Sequence, residues 1–256
     1  MKFFDAHCHL QLPEFAGDLD AVVARMRAAD MSALVIGVDY ETSTAAVELA
    51  EKYDFLWAVI GLHPNDNPEE ILDAAAYEAL AQNPKVVAIG ECGLDYSRRP
   101  TPEYIEIQKK RFAAQIALAA KIGKPLIIHC RSAHEDMIEI LRAAKGEHPN
   151  LQIVIHFCTV DGETAQKYID IGCYLSFPGP ITYTDMYDDS IRIAPPERIL
   201  AETDSPFAAP VPFRGKRNEP VYVEHVVRKI AEVRGDDFEN LRAQILENVR
   251  RIFRLT

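Results

Sequence analysis

Most histidines in this sequence, together with several acidic residues, occur where short apolar segments end. His7 and His9 follow the first of these segments at a spacing of two, so their imidazoles point to the same side of an extended strand. Such a pair could bind one divalent ion. Taken alone, a His-x-His pair is as often two structural or solvent-facing histidines, so the rest of the chain decides between these interpretations.

Four further side chains with nitrogen or oxygen donors occupy the same kind of position. Glu91 follows the fourth apolar segment, His129 and His156 end the fifth and sixth, and Asp204 follows the eighth. Each of these residues could have a structural role by itself. It is much less expected by chance that all of them lie at the same end of successive strands. Six ligands are enough for two ions. The predicted site consists of His7, His9, Glu91, His129, His156 and Asp204.

Glu91 has the position from which one carboxylate could bridge both ions, with one oxygen on each. In some metalloenzymes a carboxylated lysine bridges two ions instead. Lys85 and Lys124 precede their strands and therefore lie at the wrong end. The sequence thus favours Glu91 as the bridging ligand.

The elements that would position these residues alternate between strands and helices. Apolar segments rich in β-branched residues are typical of the buried strands of a parallel sheet. The predicted strands are Lys2–Ala6, Ala33–Val38, Leu56–Gly61, Val86–Gly90, Pro125–His129, Gln152–His156, Cys173–Ser176 and Ile199–Glu202. Eight strands with intervening helices and no linker predict an α/β fold, a (β/α)₈ TIM barrel that forms one domain over residues 1–256.

Segments between the strands carry apolar residues at helical spacing. They are Asp18–Ala28, Thr44–Lys52, Glu69–Leu80, Pro102–Ile122, Ala133–Lys145, Gly162–Ile171 and Val221–Arg234, and Phe238–Arg254 would close the structure. Ser43 and Thr44 are the expected start of the second helix. Thr101 and Pro102 supply a cap and a first-turn proline for the fourth.

Composition narrows the class of protein further. With 48% hydrophobic and 26% charged residues the chain can form a large core, and no apolar segment is long enough to cross a bilayer. We therefore expect a cytoplasmic protein. A net charge of −11 argues against broad electrostatic binding to nucleic acid or membranes, so a polyanionic substrate would be held locally. The five cysteines, without C-x-x-C pairs, are expected to be reduced and structural.

Six segments resemble the TatD-type metal-dependent deoxyribonucleases. They are FDAHCHL, GLHP, IGECGLDY, PLIIHCRSAHED, ETDSPF and RGKRNEP, and they span almost the whole chain in the family's order. The resemblance implies that His7, His9, Glu91 and Asp204 bind one ion, and that Glu91, His129 and His156 bind the second. One segment departs from the family, which usually has Cys-Phe-Ser-Gly after the sixth-strand histidine. Here Phe157-Cys158-Thr159 follows His156, and this loop is expected to alter substrate preference.

Two such ions would activate a water and hold the attacking and leaving oxygens of a phosphodiester. We expect Asp204 to accept the proton of that water, with Glu91 as the other catalytic carboxylate, and Glu202 to orient a ligand histidine.

Three side chains are candidates for substrate binding. His63 and Arg131 face the same barrel mouth, with a turn-fixing histidine and a surface salt bridge as the structural alternatives. Arg214, with its neighbours Lys216 and Arg217, would contact a nucleic-acid backbone, order the loop over the site, or form a solvated basic turn.

These features favour a 3′–5′ exonuclease that acts on DNA, and also on RNA, at a strand end or a short single strand. An ester or amide hydrolase with the same ions, such as a D-aminoacyl-tRNA deacylase, is the alternative, because fold alone does not determine the scissile bond. A non-enzymatic binding protein is disfavoured by the intact ligand set. The cofactor would be two divalent ions, with Zn²⁺, Mn²⁺ and Mg²⁺ left open. We expect a monomer.

Overall fold

Eight parallel strands form one sheet whose order follows the chain in the computed structural model, which describes residues 1–67 and 70–255. The strands are β1 (Phe3–Cys8), β2 (Met31–Ile36), β3 (Leu56–Ile60), β4 (Val86–Asp95), β5 (Leu126–Arg131), β6 (Ile153–Ile155), β7 (Tyr174–Phe177) and β8 (Ile199–Ala201). The predicted TIM barrel is confirmed. Most strand boundaries differ from the prediction by one or two residues, but β4 continues five residues past the predicted end at Gly90.

The barrel is closed where β1 meets the residues that follow β8. The amide of Asp204 donates to the His7 carbonyl at 2.8 Å, and the amide of His9 donates to the Ser205 carbonyl at 2.8 Å. Cys8 and Ser205 form a parallel bridge between these two hydrogen bonds. The last seam of the barrel therefore passes through the backbone of three predicted metal ligands.

Helices connect the strands and cover the outside of the barrel. They are α1 (Leu19–Ala28), α2 (Tyr40–Lys52), α3 (Ala74–Leu80), α4 (Pro102–Ile122), α5 (His134–Glu147), α6 (Gly162–Ile171), α7 (Asp188–Ile193), α8 (Val223–Arg234) and α9 (Phe238–Phe253). The six-residue α7 was not predicted, because a segment this short has too few turns to show a helical period. No helix in the described ranges is both long enough and apolar enough to span a bilayer.

Helix starts follow the capping chemistry of the preceding residues. The Thr101 hydroxyl accepts a hydrogen bond from the Tyr104 amide, which confirms the predicted start of α4. The predicted start of α2 at Ser43 is wrong. This helix begins at Tyr40, because the carboxylate of Asp39 accepts from the Thr42 amide at 2.8 Å while the Thr42 hydroxyl accepts from the Asp39 amide.

The third helix also starts later than predicted. Its predicted first residue, Glu69, lies outside the described residues, and the helix begins at Ala74. The carboxylate of Asp73 accepts hydrogen bonds from the Ala75 and Ala76 amides and so fixes the start of the helix.

Two apolar layers hold the barrel together. One lies between the strands and the surrounding helices, and the other fills the barrel interior. The interior strand residues are Phe4, Ala6, Leu34, Ile36, Val59, Ala88, Ile127, Val154, Tyr174 and Leu200. Helix α9 contributes Leu246, Val249, Ile252 and Phe253 to the same layer. It therefore closes the end of the barrel at which the strands begin, as the sequence predicts for the final segment.

A register shift in β1 turns the two histidines inward. Phe4 and Ala6 belong to the interior layer, so strict alternation would also place Cys8 there. The pairing with β2 shifts between Asp5 and Cys8, and Cys8 packs in the outer layer instead. His7 and His9 consequently face the barrel mouth.

A second register shift, in β4, turns Glu91 toward the barrel interior. Ala88 lies in the interior layer and Ile89 in the outer one, so regular alternation would place Glu91 among the apolar side chains outside the barrel. The pairing with β5 shifts between Ile89 and Cys92, and Cys92 occupies the outer layer. Glu91 faces inward as a result.

Gly90 makes this shift possible because a side chain has no space there. Its φ of +149° lies in the region that favours glycine, and a Cβ atom would lie 2.5 Å from the carbonyl oxygen of Ile127. A Cβ atom on Gly61 of the neighbouring chain segment would in turn lie 2.6 Å from the carbonyl carbon of Gly90. The backbone before Glu91 is therefore enclosed on both sides.

We predict that Gly90→Ala lowers the free energy of unfolding by about 2–4 kcal/mol, since it combines overpacking with an unfavourable φ. Urea unfolding would measure the loss. Gly146→Ala is the matched control, because Gly146 lies within α5 and a Cβ there meets nothing within 4 Å. The control should gain about 0.5–1 kcal/mol from helix propensity. Equal stability of the Gly90→Ala variant and the unmodified protein would contradict the enclosure of Gly90.

Candidate metal centre

Four ligand atoms converge at the carboxyl ends of β1, β4 and β8. The Nε2 atoms of His7 and His9 are 3.2 Å apart, and His7 Nε2 is 3.2 Å from Glu91 Oε2. His9 Nε2 is 3.4 Å from Asp204 Oδ1. Ligands placed tetrahedrally at about 2.1 Å from an ion are separated by about 3.4 Å. The His7–Asp204 and His9–Glu91 distances are longer, at 3.8 and 3.9 Å, and these spacings are compatible with one divalent ion between the four side chains.

A second group of donors surrounds the other oxygen of Glu91. Glu91 Oε1 lies 2.8 Å from His129 Nδ1, 3.5 Å from His156 Nε2 and 3.6 Å from His63 Nε2. His63, Glu91 and His129 have ligand atoms close enough to hold an ion. The two oxygens of Glu91 thus face two separate sets of nitrogen donors, which is the arrangement that a bridging carboxylate needs.

The two ligand carboxylates are ionised in this environment. Burial opposes ionisation of Glu91, but the charges of His156 and His63 and hydrogen bonds from His129 and His7 hold its pKa well below the usual range. Burial also opposes ionisation of Asp204, but the hydrogen bond from His9 and the charges of His156, His7 and His9 together outweigh burial, so its pKa is lowered as well. Deprotonated carboxylates are the form that binds metal.

Acidic groups create a negative potential at the buried His156. Burial alone would lower the pKa of His156, but the neighbouring carboxylates Glu202 and Glu91 raise it to about 10. A potential that attracts a proton to a buried imidazole also attracts a divalent cation. Charge and geometry therefore both fit a metal centre.

Polar contacts behind the candidate ligands favour one orientation of the imidazoles. His9 donates from Nδ1 to the carbonyl of Ile36 at 2.9 Å, which leaves Nε2 free to bind a metal. His156 Nδ1 lies 2.8 Å from Glu202 Oε1, and the same oxygen accepts from the Phe157 amide. Glu202 is thus placed directly behind His156.

Asp95 is a buried part of the site that the sequence interpretation missed. Its Oδ2 atom lies 3.2 Å from His129 Nε2, while Oδ1 accepts a hydrogen bond from the Ser97 amide at 2.8 Å. Burial opposes its ionisation, but these contacts hold its pKa below the usual range. The signal was present in the alternation of Glu91, Gly93 and Asp95, but it is visible only if the strand continues past Gly90.

His63 lies deeper in the site than the prediction of a phosphate contact implies. Its Nδ1 atom accepts from the Asn65 amide and lies 2.9 Å from Asp66 Oδ2, while Nε2 faces Glu91. Its imidazole also packs edge-on against His129, with 4.3 Å between the ring centroids. His63 is therefore a neighbour of the second donor group.

The loop after β8 is fixed to β1 beside Asp204. The Asp5 carboxylate accepts hydrogen bonds from the amide and the hydroxyl of Thr203. Asp204 itself has a left-handed φ of 58°, a conformation that short polar residues tolerate. These contacts aim the Asp204 carboxylate at His9.

An open cleft of about 780 Å³ lies over the metal centre and has two chemically different walls. Arg98, which follows β4 and pairs with Asp66 at 3.5 Å, and Arg131, the last residue of β5, form a basic wall. Phe157, Tyr187 and Phe207, which follow β6, β7 and β8, form an aromatic wall. The sequence did not indicate the aromatic wall or Arg98, because these residues come from separate loops without a common spacing.

Arg214 and Arg217 occupy different environments. Arg214 is exposed outside the cleft lining, with its guanidinium 4.2 Å from the Tyr183 ring centroid. Arg217 binds both carboxylate oxygens of Asp18 at 2.6 and 2.7 Å and stacks over Phe15. Arg217 therefore attaches the loop to the start of α1, while a substrate contact by Arg214 stays a prediction.

Comparison with known proteins identifies the family. Residues 4–254 match the family of TatD-related DNases. The chain belongs to this family. The resemblance inferred from the six sequence segments is thereby confirmed, and the protein is a metal-dependent hydrolase of the TatD type.

Relatives of this family match the present chain along nearly its whole length. YabD of Bacillus subtilis, named an uncharacterized metal-dependent hydrolase, is 41% identical and covers 98% of this chain and 99% of its own. The 3′-5′ ssDNA/RNA exonuclease TatD of Enterobacter lignolyticus is 36% identical over 98% of both chains. The crystal structure of the TatD homologue YJJV from Escherichia coli superposes with a TM-score of 0.91, at 27% identity, over 100% of this chain and 99% of the other.

The segment that departs from the TatD pattern contributes to the cleft. Phe157 has a φ of 48° and is anchored through its amide to Glu202, while its ring and Thr159 line the cleft. Cys158 is buried beneath, where its amide donates to the Ser176 carbonyl. This segment therefore supplies Phe157 to the aromatic wall, directly after His156 in the chain.

We predict that Glu202→Gln weakens divalent-metal binding roughly 10- to 100-fold, because a neutral amide supports the orientation and basicity of His156 less well. Titration of the metal-free protein with Zn²⁺ or Mn²⁺ would measure the change. Glu197→Gln is the control, since Glu197 precedes β8 at the opposite end of the barrel. Equal metal affinities of the two variants would show that Glu202 does not position His156.

Proposed function

We propose that this TatD protein is a 3′–5′ exonuclease that acts on single-stranded DNA and RNA. The observation that carries the proposal is the position of Glu91, whose two oxygens face two donor sets at the floor of a cleft with basic and aromatic walls. The similarity to exonucleases named TatD, at 36% identity, supports the same reaction. Paired divalent ions promote phosphodiester hydrolysis by stabilising both the attacking and the leaving oxygen.

The donor sets fit two ions that share Glu91. His7, His9, Glu91 and Asp204 would hold one, and Glu91, His129 and His156 the other. Two bound ions would lower the pKa of a water and neutralise charge on the scissile phosphate. Because most ligands are imidazole nitrogens, Zn²⁺ and Mn²⁺ suit the site better than Mg²⁺.

Several side chains of the protein would assist the reaction directly. Asp204 is anionic and exposed to the cleft, so it can accept the proton of the attacking water. Arg131 and Arg98 can bind phosphate oxygens from the side of the basic wall. Glu202 and Asp95 hold the imidazoles of His156 and His129 from behind.

The two walls of the cleft suit a single strand. Bases can stack on aromatic rings without sequence preference, while arginines follow the phosphates. Phe207 is 49% exposed, and its backbone carbonyl accepts a hydrogen bond from the Asn218 side chain. An exposed ring on an anchored backbone provides a fixed stacking surface. In a protein of net charge −11, local contacts of this kind must hold the strand.

We predict that the metal-loaded protein shortens a 5′-labelled single strand progressively from its 3′ end. Glu91→Ala should lower the rate by roughly 100- to 1,000-fold or more, because both donor sets lose a ligand. Glu163→Ala is the matched control, since Glu163 lies exposed on α6. Gel analysis of product lengths would follow the reaction.

The same preparation should be offered a D-aminoacyl-tRNA beside the labelled strand. Deacylation without strand shortening would contradict the proposed nuclease and support the ester hydrolase. Shortening of the strand that is equally fast in Glu91→Ala would show that the activity does not arise from this metal centre.

We predict that Phe207→Ala raises KM for a single strand about five- to 100-fold with little change in kcat, since stacking on one base contributes about 1–3 kcal/mol. Phe207→Tyr is the control and should retain the original KM. A strand with an abasic 3′-terminal nucleotide should show little difference between the variants. A KM increase that persists on the abasic strand would argue against stacking at Phe207.

A further inference from the structure

A second cleft, of about 870 Å³, lies at the opposite end of the barrel, and we call it the basal cleft. It is formed by the segments that precede β5, β6 and β8, by the start of β7 and by the end of α9. Its lining contains Lys124, Arg198, Arg251 and Arg254. Four cations therefore gather in one concave surface of an acidic protein.

Neutral oxygen atoms, and not carboxylates, hold three of these cations. Lys124 donates to the Val86 carbonyl, and Arg198 donates to the Gly172 carbonyl at 2.9 Å. Arg251 donates from Nε to the Tyr174 hydroxyl at 3.1 Å and from Nη2 to a backbone carbonyl. These hydrogen bonds fix the positions of the side chains without neutralising their charge.

Within residues 1–67 and 70–255 no carboxylate forms an ion pair with any of the four cations. The two glutamates that line the cleft, Glu147 and Glu197, form no ion pair in that part of the chain either. Arg254 is exposed at the end of α9 and makes no side-chain hydrogen bond to the described residues. The basal cleft thus has more positive than negative charge.

The cations also repel one another electrostatically. The pKa of Lys124 is lowered by burial and further by the charge of Arg254. The pKa of Lys145, whose ammonium group donates to the Leu151 carbonyl at the cleft edge, is lowered by burial and further by Arg198. A bound anion would relieve this repulsion between like charges.

We propose that the basal cleft binds the phosphate group of a small ligand, either a nucleotide or inorganic phosphate. Planar guanidinium groups match phosphate oxygens, and those of Arg198 and Arg251 are held over the ring of Tyr174, 4.8 and 5.8 Å from its centroid. Asn150 and Gln152 add amide groups that suit a sugar or a base. A cleft of this volume is in the range of small-molecule sites.

This proposal is independent of the exonuclease activity, because the basal cleft and the metal centre lie at opposite ends of the strands. Phosphate can bind at both places, so the experiment must separate them. Glu91→Ala removes the contribution of the metal centre to phosphate binding, while substitutions of Arg254 affect phosphate binding only in the basal cleft. Asparagine is a suitable replacement because Arg254 has a φ of 54°, which asparagine tolerates.

Calorimetric titration of the metal-loaded protein with inorganic phosphate, deoxyadenosine 5′-monophosphate and deoxyadenosine would test the proposal. In the Glu91→Ala background, phosphate and the nucleotide should bind and the uncharged nucleoside should not. Arg254→Asn should weaken binding about tenfold, and Arg254→Glu should weaken it further. Tighter binding of the nucleotide than of phosphate would identify a nucleotide site, and equal binding a phosphate site.

Arg142→Glu is the matched control, because Arg142 is an exposed arginine on α5 outside the cleft lining. It should leave binding unchanged, and the Arg254 variants without Glu91→Ala should retain full exonuclease activity. Equal affinities of Arg254→Glu and Arg142→Glu would overturn the proposal, as would loss of all phosphate binding in Glu91→Ala alone. Binding of a single-stranded oligonucleotide without binding of phosphate or the mononucleotide would also overturn it.

Discussion

The shift of β4 beside Gly90 is the constraint on which the metal centre depends. Without it, Glu91 would point into the apolar layer between barrel and helices, where an unpaired carboxylate is strongly unfavourable. With it, the carboxylate reaches the centre of five imidazoles and both of its oxygens meet nitrogen donors. The absence of a side chain at Gly90 allows the backbone to pass close to the Ile127 carbonyl, and this close approach makes the register shift possible.

The same residues close the barrel and form the candidate metal centre. The backbone of His7 and His9 forms the seam with Asp204 and Ser205, while the side chains of His7, His9 and Asp204 converge on one point. Asp5 adds a buried link across the same seam through Thr203. The residues that complete the sheet are therefore the residues that complete the ligand set, and β1 can move relative to β8 only if the donor atoms separate.

Regular alternation explains which parts of the site the sequence could predict. Inward positions recur at every second residue of a strand. His129 lies two residues after the inward Ile127, His156 two after Val154, and Asp204 four after Leu200. Strand alternation therefore predicts the inward orientation of all three side chains. Glu91 is a predicted ligand, but the predicted fourth strand ends at Gly90, so the prediction does not include Asp95 five residues further along β4. The aromatic wall and Arg98 could not be predicted, because the distance between residues of different loops depends on the barrel geometry and on no local period.

The two ends of the chain meet at the first donor set, since His7 and His9 belong to the first strand and Asp204 follows the last. Because His7 and His9 precede Asp204 by about 200 residues, synthesis of the chain adds the acidic residue long after the histidine pair. This donor set can therefore form only after all eight strands have been synthesised, since Asp204 follows the last of them.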